Sequence, residues 1–212
     1  MEDLVIIGVG FPDIIQTLND INEKNKLFNI LGFLDDNLSL KNTKIFGYPV
    51  IDNIEWLKKH KQISVVNTVA RNINIRSIVH KKLQKYEINF PNIIHPSVNT
   101  EFSNIGIGNL ISKNVYLEAR SKINNHCMIL PNVTVGHDAE IKDNCFIGPS
   151  VNILGGVKIE KNCLIGAGSI IYPKKVINNN ATTSINSTIY NDVKENDTML
   201  SAPSKRIFTT KS

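Results

Sequence analysis

The spacing of apolar residues becomes regular after about residue 95. Between Ile105 and Ile189 an aliphatic residue returns at every sixth position, and only Thr183 interrupts the series. A helix has a period of about 3.6 residues and an amphipathic strand a period of about 2, so neither produces this pattern. A β-sandwich spaces its strands irregularly, roughly 8–12 residues apart. Hexapeptide repeats are typical of a parallel β-helix, in which three hexads form one triangular coil.

Small side chains recur four positions after many of the aliphatic residues, where the coil is expected to turn its corners. The three cysteines, Cys127, Cys145 and Cys163, are separated by three hexads each and so take the same place in successive coils. We expect them to face inward as small hydrophobic residues. Their odd number does not suit a closed disulfide framework and indicates a reducing compartment, which we take to be the cytoplasm.

Residues 1–94 have a different pattern, with strands and helices in alternation. Strands are predicted at 4–8, 30–34 and 63–69, and helices at 13–22, 54–60 and 75–86. This order predicts a small α/β domain with a parallel, Rossmann-like sheet. The coil is then expected at 95–194, and residues 195–212 form a tail that leaves the repeat.

The turn after the first predicted strand carries Gly8 and Gly10, and the second strand ends at Asp35 and Asp36. A doubly wound sheet places phosphates at such a turn, and carboxylates at the end of the second strand can bond a ribose or a base. The third glycine of a dinucleotide motif is missing, and Asp13 would lie near a pyrophosphate. A nucleotide-linked sugar is therefore favoured over NAD. Alternatively, the glycines make only a tight turn and the Asp pair only ends a strand.

Charge and composition limit the classes of ligand that the protein could bind. The 212 residues include 24 Lys and Arg against 19 Asp and Glu, a net charge of +5. The basic residues are scattered and no nucleic-acid-binding motif accompanies them, so a small polyanion such as a nucleotide or coenzyme A is a better ligand than nucleic acid. We expect no membrane span, because no apolar stretch reaches about 18–20 residues, and no signal peptide.

The strongest candidate for catalysis is the dipeptide His137-Asp138. His137 follows the interior residue Val135 by two positions, so its ring should point out of the coil, with Asp138 at the corner. A carboxylate next to an imidazole holds its tautomer, as a general base near neutral pH requires. One coil later stand Gly155 and Gly156, which leave a slot for an acyl thioester and a backbone N–H for an oxyanion. Alternatively, His137 and Asp138 are solvent-exposed corner residues without a catalytic role.

The remaining histidines are weaker candidates. His126 also lies near a corner and could line the same groove, but no acidic residue adjoins it. His95, next to Pro96, is expected at the domain junction, and His60 and His80 at helix ends. None of them forms a ligand spacing with the inward-facing cysteines, so we expect no metal.

Motifs from both domains resemble the sialic-acid/sugar O-acyltransferase family, which includes bacterial nucleotide-amino-sugar N-acetyltransferases. The resemblance covers nearly the whole chain. The motifs that carry it are the Gly-x-Gly turn, Gly32-Phe33-Leu34-Asp35-Asp36, Arg76, Ile94-His95-Pro96-Ser97, Gly136-His137-Asp138, Cys145-Phe146-Ile147-Gly148-Pro149, Gly155-Gly156-Val157-Lys158-Ile159 and Ile165-Gly166-Ala167-Gly168-Ser169.

The resemblance implies a left-handed β-helix and a homotrimer with active sites between subunits. It also implies a nucleotide-linked sugar on the N-terminal domain and acetyl-CoA along the coil of the neighbouring chain. His137 would be the base and Asp138 the residue that tunes it. Gly155 would offer its N–H to the thioester carbonyl, Ala167 its backbone to the pantetheine, and Lys205 in the basic tail is assigned to the coenzyme.

Two positions depart from the family. Some N-acetylating relatives have a second histidine nine places after the base, at the thioester, where this chain has Phe146. Many have a glycine beside the sugar nucleotide where this chain has Arg71. The favoured function is acetylation of the amine of a nucleotide-linked amino sugar in surface-glycan biosynthesis. The alternatives are O-acetylation of sialic acid or a related sugar, and a non-catalytic scaffold or nucleotide sensor.

Overall fold

The computed structural model describes residues 1–69 and 72–201, in which an α/β sheet packs against a three-sided coil of parallel strands. The α/β elements are β1 (Glu2–Ile7), α1 (Ile14–Asn25), β2 (Phe28–Leu34), β3 (Lys44–Ile45), β4 (Tyr48–Asp52), β5 (Ser64–Asn67) and α2 (Ile73–Leu83), with short 3-10 helices at Leu38–Leu40 and Ile54–Lys59.

The sheet order is β3-β4-β2-β1-β5, and all pairs are parallel except β3 with β4. Strand β1 is buried on both sides, as its unbroken apolar run predicts. Leu4 and Ile6 pack with α1, whereas Val5 and Ile7 pack with the second 3-10 helix and α2. Elements therefore cover both faces of the sheet, and the predicted parallel sheet is confirmed.

The α/β domain departs from the sequence prediction in two places. The predicted helix at 54–60 is a 3-10 helix at Ile54–Lys59. The hairpin of β3 and β4 was not predicted. Its turn residues Phe46 and Gly47 both have positive φ, 47° and 85°. A turn of this type usually contains Asn-Gly or Asp-Gly, and Phe-Gly does not signal it.

The coil consists of two-residue strands in three sheets, which we name by their surroundings. The domain-facing sheet contains β6 (Ile93–Ile94), β8 (Leu110–Ile111), β11 (Met128–Ile129), β14 (Phe146–Ile147), β17 (Leu164–Ile165), β20 (Thr182–Thr183) and β22 (Thr198–Met199). The charged sheet contains β7 (Asn104–Ile105), β10 (Lys122–Ile123), β13 (Glu140–Ile141), β16 (Lys158–Ile159) and β19 (Val176–Ile177). The histidine-side sheet contains β9 (Tyr116–Leu117), β12 (Thr134–Val135), β15 (Asn152–Ile153), β18 (Ile170–Ile171) and β21 (Thr188–Ile189).

The second residue of almost every strand points into the coil and is the aliphatic residue of the hexad. Ile129, Val135 and Ile141, one from each sheet, are completely buried in a single cluster that also contains the three cysteines. The cysteines are free thiols. The predicted β-helix core and its inward column of cysteines are therefore confirmed.

The corners of the coil require a left-handed backbone. The residue three places after each interior position from 105 to 183 has positive φ, for example 58° at Asn114, 60° at Asn132 and 57° at Asn144. Asparagine tolerates this conformation better than most residues, because its short side chain can bond locally. Many of the asparagines in the sequence are thus explained by the corners.

The coil is longer than the repeat suggested. It begins with β6 at Ile93, because β6 already pairs with β8. It also continues into the predicted tail, where β22 pairs with β20. Thr198 lies opposite Thr182, so the last coil is shorter than the three full hexads of the coils before it. This shortening hides the last coil from a search for strict hexads.

The first residues of the domain-facing strands point outward and attach the coil to the α/β sheet. Leu110, Met128 and Phe146 pack in the same cluster as Ile14 and Leu18 of α1. The corresponding positions of the charged sheet are polar in four of its five strands: Asn104, Lys122, Glu140 and Lys158, with Val176 last. The chemistry of each outer face thus decides which side of the coil the N-terminal domain covers.

Candidate active site

His137 stands where the sequence placed it, on the outer surface of the coil after β12. Its side chain is 61% exposed, and its Nδ1 lies 2.9 Å from Oδ2 of Asp138. Asp138 is the corner residue, with φ 61°. If Nδ1 carries the proton that this contact requires, Nε2 is left with a free lone pair. The pair therefore has the arrangement of a general base and its orienting carboxylate.

The imidazole lies directly over Gly155. A methyl group added at Gly155 would come within 2.5 Å of His137 Nε2, so the ring could not keep this position over a larger residue. The next amide, Gly156 N–H, donates to the backbone carbonyl of His137 at 2.8 Å and holds the two coils in register. Within the described residues, the Gly155 amide donates no hydrogen bond. His137 thus stands beside an amide that is available to an oxyanion.

Two further charged residues surround this corner from the preceding coil. Arg120 donates from Nε to Asp138 Oδ1 at 2.6 Å and from Nη2 to Oδ2 at 2.8 Å. Glu118 accepts the backbone N–H of His137 at its Oε2, at 2.8 Å. The pKa of Asp138 is held well below its usual range, first by Arg120 and second by His137. The carboxylate is therefore ionised at every pH at which the base could act.

Neither Arg120 nor Glu118 was predicted as part of the site. The three-hexad coil could have revealed Arg120, because it is the position directly below Asp138. Glu118 lies 19 residues before His137, and its contact depends on how far the side chain reaches along the corner.

A groove of about 510 Å³ opens beside His137 toward the first coil. Glu118, Tyr116 and Phe102 line it, and the last two are largely exposed aromatic side chains. On the other side of His137, along the histidine-side sheet, Ile170, Tyr172 and Tyr190 are also exposed, and the two tyrosines pack against each other. His137 therefore stands midway along an outer surface that exposes several large apolar and aromatic side chains.

His126 does not line this groove, contrary to the alternative considered from the sequence. It lies at another corner, where its ring contacts His80 of α2 at 4.0 Å and Phe90 at 4.9 Å between centroids. Burial, followed by the proximity of His80 and Arg76, lowers the pKa of His126 to about 4. Burial also lowers the pKa of His80. This pair belongs to the domain contact.

Arg76 joins the same contact. Its buried guanidinium donates to the carbonyls of Asn67 and Val69 at 3.0 Å each and to the carbonyl of His126 at 2.8 Å. Burial lowers its pKa to about 10. His95 lies at the junction as expected, buried, with Nε2 2.8 Å from Asp20 Oδ2. The end of β5 is thus attached to the coil by a single arginine.

The predicted nucleotide turn lies at the carboxyl end of β1, between β2 and β5, where the strand order of the sheet reverses. Ligands of such sheets bind at this point. Gly8 has φ 86°, a conformation suited to glycine. Asp35 follows β2 and accepts the Val9 N–H at Oδ2, at 3.1 Å. Asp36 accepts the Ile54 N–H and lies 3.2 Å from Lys82 Nζ. Both carboxylates have protein partners, as expected if the pair only ends a strand. Among the described residues, no atom lies within 4 Å of a methyl group added at Gly10.

The other predicted contacts are distributed as follows. Phe146 is partly buried in the cluster that contains Val9 and Phe11, so within one chain it lies on the nucleotide side and not beside His137. Ala167 is at a corner one coil after Pro149, where its amide approaches Gly148 closely. Arg71 and Lys205 lie outside the described residues.

A larger groove, of about 830 Å³, lies on the α/β domain and away from His137. Five lysines line it, but Lys58, Lys61 and Lys82 already form ion pairs with Glu55, Glu87 or Asp36. We therefore do not place the chemistry there. Among the described residues, His, Cys, Asp and Glu side chains form no group of three that could hold a metal. Within the same residues, no helix is long and apolar enough to cross a membrane.

Comparisons with known proteins agree with this architecture. A family described as the GMPPB C-terminal domain matches residues 111–211, which lie mostly in the coil. A search of curated proteins found no match.

Solved structures match over almost the whole chain. The acetyltransferase domain of PglB from Neisseria gonorrhoeae FA1090 has a TM-score of 0.85 at 21% identity, covering 98% of this chain and 100% of that one. A mutant of perosamine N-acetyltransferase from Caulobacter crescentus, in complex with CoA and GDP-perosamine, has a TM-score of 0.83 at 20% identity, covering 97% and 96%. WeeI from Acinetobacter baumannii AYE has a TM-score of 0.80 at 20% identity, covering 97% and 99%. At this identity the likeness establishes a shared fold, and it confirms at that level the resemblance predicted from the sequence.

Proposed function

We propose that this chain is an acetyl-CoA-dependent acetyltransferase that modifies the amine of a nucleotide-linked amino sugar, with His137 as general base. The observation that carries the proposal is the position of the His137 ring over Gly155, with Asp138 on its Nδ1. The carboxylate on Nδ1 distinguishes His137 from His126, whose ring also lies against a glycine, Gly108. Complexes of a structural neighbour with CoA and GDP-perosamine support the same pairing of substrates.

The reaction follows from these positions. The acceptor nitrogen attacks the thioester carbonyl, and His137 Nε2 takes the proton that the nitrogen loses as the new C–N bond forms. The carbonyl oxygen becomes an oxyanion, to which Gly155 presents its unbonded amide. The C–S bond then breaks, and the coenzyme A thiolate leaves with the proton that His137 received, which returns the imidazole to its neutral form.

The substrates are proposed to meet between chains. In one chain, the nucleotide turn lies on the side of α1 and Phe146, whereas His137 lies on another face of the coil. The apolar side chains exposed along the histidine-side sheet, such as Tyr172 and Tyr190, would be covered in a homotrimer. The trimer would bring the turn of one subunit to the base of the next. Light scattering at micromolar concentration tests this, and a monomer would contradict the shared cleft.

The runner-up is O-acetylation of a free acid sugar such as sialic acid. It is favoured by one observation: Asp35 and Asp36 both have protein partners and so are less available to a nucleotide. The third possibility, a non-catalytic scaffold or nucleotide sensor, predicts ligand binding without turnover.

One experiment separates the three. The protein is mixed with acetyl-CoA and with nucleotide-linked amino sugars or sialic acid, and release of the free CoA thiol is measured beside thermal stability. A ligand that binds only the folded state raises the apparent melting temperature. Release of CoA with nucleotide-linked amino sugars but not with sialic acid supports the proposal. Release with sialic acid supports the runner-up, and a thermal shift without CoA release supports the scaffold or sensor. The Asp35→Ala, Asp36→Ala double variant is expected to raise KM for the sugar and to leave that for acetyl-CoA nearly unchanged.

A further inference from the structure

The carboxylate that contacts the proposed base is shared with an arginine. Asp138 Oδ2 lies 2.9 Å from His137 Nδ1 and also accepts the Arg120 Nη2 at 2.8 Å, while Oδ1 accepts the Arg120 Nε at 2.6 Å. Two parallel hydrogen bonds of this kind fix the plane of a carboxylate and not merely its distance. The plane of Asp138 in turn determines where the imidazole can donate.

We propose that Arg120 is a positioning residue for the catalytic pair: it holds Asp138 in the plane that keeps the proton of His137 on Nδ1 and offsets the negative charge beside the ring. This inference rests on the proposed function, because it concerns the same base. Arg120 acts through Asp138, to which both of its side-chain hydrogen bonds are made.

The charge around the ring supports this role. Asp138 and Glu118 are the acidic groups at this corner, and Arg120 is the basic group bonded to Asp138. The coil above presents Gly155 and Gly156 without charge, and Lys174 stands over Gly156 one coil further on. Without Arg120, two carboxylates would face the ring with no cation bonded to either. They would favour the protonated imidazole, which cannot act as a base.

The arginine also suits the geometry of the corner. Arg120 is the left-handed corner residue one coil below Asp138, with φ 63° against 61°. Its backbone N–H donates to the Phe102 carbonyl at 2.8 Å, so its own position is fixed from the coil below. A lysine there could supply the charge but not the two parallel bonds.

The test uses Arg120→Gln and Arg120→Lys in the full-length protein, with Lys161→Gln as the matched control. Lys161 forms a similar ion pair across one coil, with Asp143 at 3.1 Å, on a different corner. Two quantities are measured. One is the distribution of the His137 proton between Nδ1 and Nε2, by nitrogen NMR without substrate. The other is the pH profile of kcat/KM.

We expect Arg120→Gln to lower the fraction of the Nδ1–H form and to move the acidic limb of the profile up by about 0.5–1 pH unit, the size expected for one charge a few ångströms away near solvent. Arg120→Lys should return the acidic limb to its wild-type pH but should recover only part of the wild-type fraction of the Nδ1–H form. Lys161→Gln should change neither. KM for acetyl-CoA should stay within about twofold, since Arg120 acts on the base and not on binding.

An unchanged tautomer ratio together with an unmoved acidic limb in Arg120→Gln overturns the inference, as does an equal change in Lys161→Gln. The NMR result does not depend on turnover. If the ratio changes but no acceptor is acetylated, Arg120 orients the His137–Asp138 pair but the proposed function fails, and with it the catalytic part of the inference. If the wild type is active and His137→Ala is not, while Arg120→Gln behaves as wild type in both measurements, the function holds and the inference fails.

Discussion

Two corners of the coil carry a histidine, and the two side chains have different surroundings. His126 lies against His80 of α2 and the edge of Phe90, with its pKa lowered to about 4. His137 is exposed and touches a carboxylate, and each ring lies against a glycine of a neighbouring coil. Both belong to the same run of hexads, less than one coil apart along the chain. The comparison shows that the repeat supplies a position, and that the neighbouring coil or domain decides whether a histidine there stays exposed beside a carboxylate or is covered.

The largest effect should come from removing the exposed histidine. His137→Ala is expected to lower kcat by about 10²–10⁴, the usual contribution of a positioned general base. The melting temperature should stay close to that of the wild type, because an exposed corner side chain buries little. Steady-state kinetics and thermal unfolding measure both. A variant that keeps more than about half of the wild-type rate would place the base elsewhere.

The next effect should come from the glycine under the ring. Gly155→Ala puts a methyl group within 2.5 Å of His137 Nε2, so the ring must move. A displacement of about 1 Å at a reacting group can cost about 10² in rate. The control is the double variant with His137→Ala, which should be no slower than His137→Ala alone, because the methyl group then has no ring to displace. An additive loss would mean that Gly155 serves another purpose.

The corner that carries His126 should make the free energy of unfolding depend on pH. The pKa of His126 is about 4 in the folded protein against an ordinary 6.5, so between these values the unfolded chain takes up a proton that the folded protein does not. Stability should therefore be complete above about pH 6.5 and fall by about 1–2 kcal/mol as the pH approaches 4, a figure reduced for partial exposure. Urea unfolding at a series of pH values measures it.

Two matched variants test whether this loss of stability at low pH arises from His126. His126→Asn keeps a residue that tolerates the left-handed backbone and removes the titrating ring, so it should flatten the pH dependence. His137→Asn at the exposed corner should leave it unchanged. Equal curves for all three proteins would show that the fall arises elsewhere.

The smallest effect should come from the carboxylate at the exposed corner. Asp138→Asn keeps an acceptor for His137 Nδ1 and suits the positive φ of the position. We expect kcat to fall by less than about tenfold, and the acidic limb of kcat/KM to move to lower pH, because Arg120 is left as an uncompensated positive charge near the ring. Movement to higher pH would contradict this account of the charges.

Much of the coil could be predicted because its information is periodic. A side chain such as Ile141 or Cys145 is buried by its place in the hexad, whatever the rest of the chain does. The same spacing of three hexads placed Gly155 next to His137. It would also have placed Arg120 next to Asp138, had the preceding coil been read in the same way as the following one.

Other features depend on contacts that no local pattern encodes. The environment of His126 is created by His80 and Phe90, which come from a helix and a loop of the other domain. The hairpin at β3 and β4 turns on Phe46 and Gly47, an uncommon pair for that purpose. Likewise, the last coil strand was missed because its spacing to the preceding coil falls short of three hexads.

The column of cysteines allows local opening of the coil to be followed by the rate of thiol labelling. Each thiol is sealed in the interior, with Cys127 Sγ donating to the Lys142 carbonyl at 3.0 Å and Cys163 Sγ to that of Asn178 at 3.1 Å. Burial raises the pKa of Cys145, so little thiolate exists to react with an alkylating reagent until that turn opens. The three thiols, each one coil apart, therefore act as reporters of local opening. Equal labelling rates would indicate that the turns separate together, whereas a gradient along the column would show unravelling from one end.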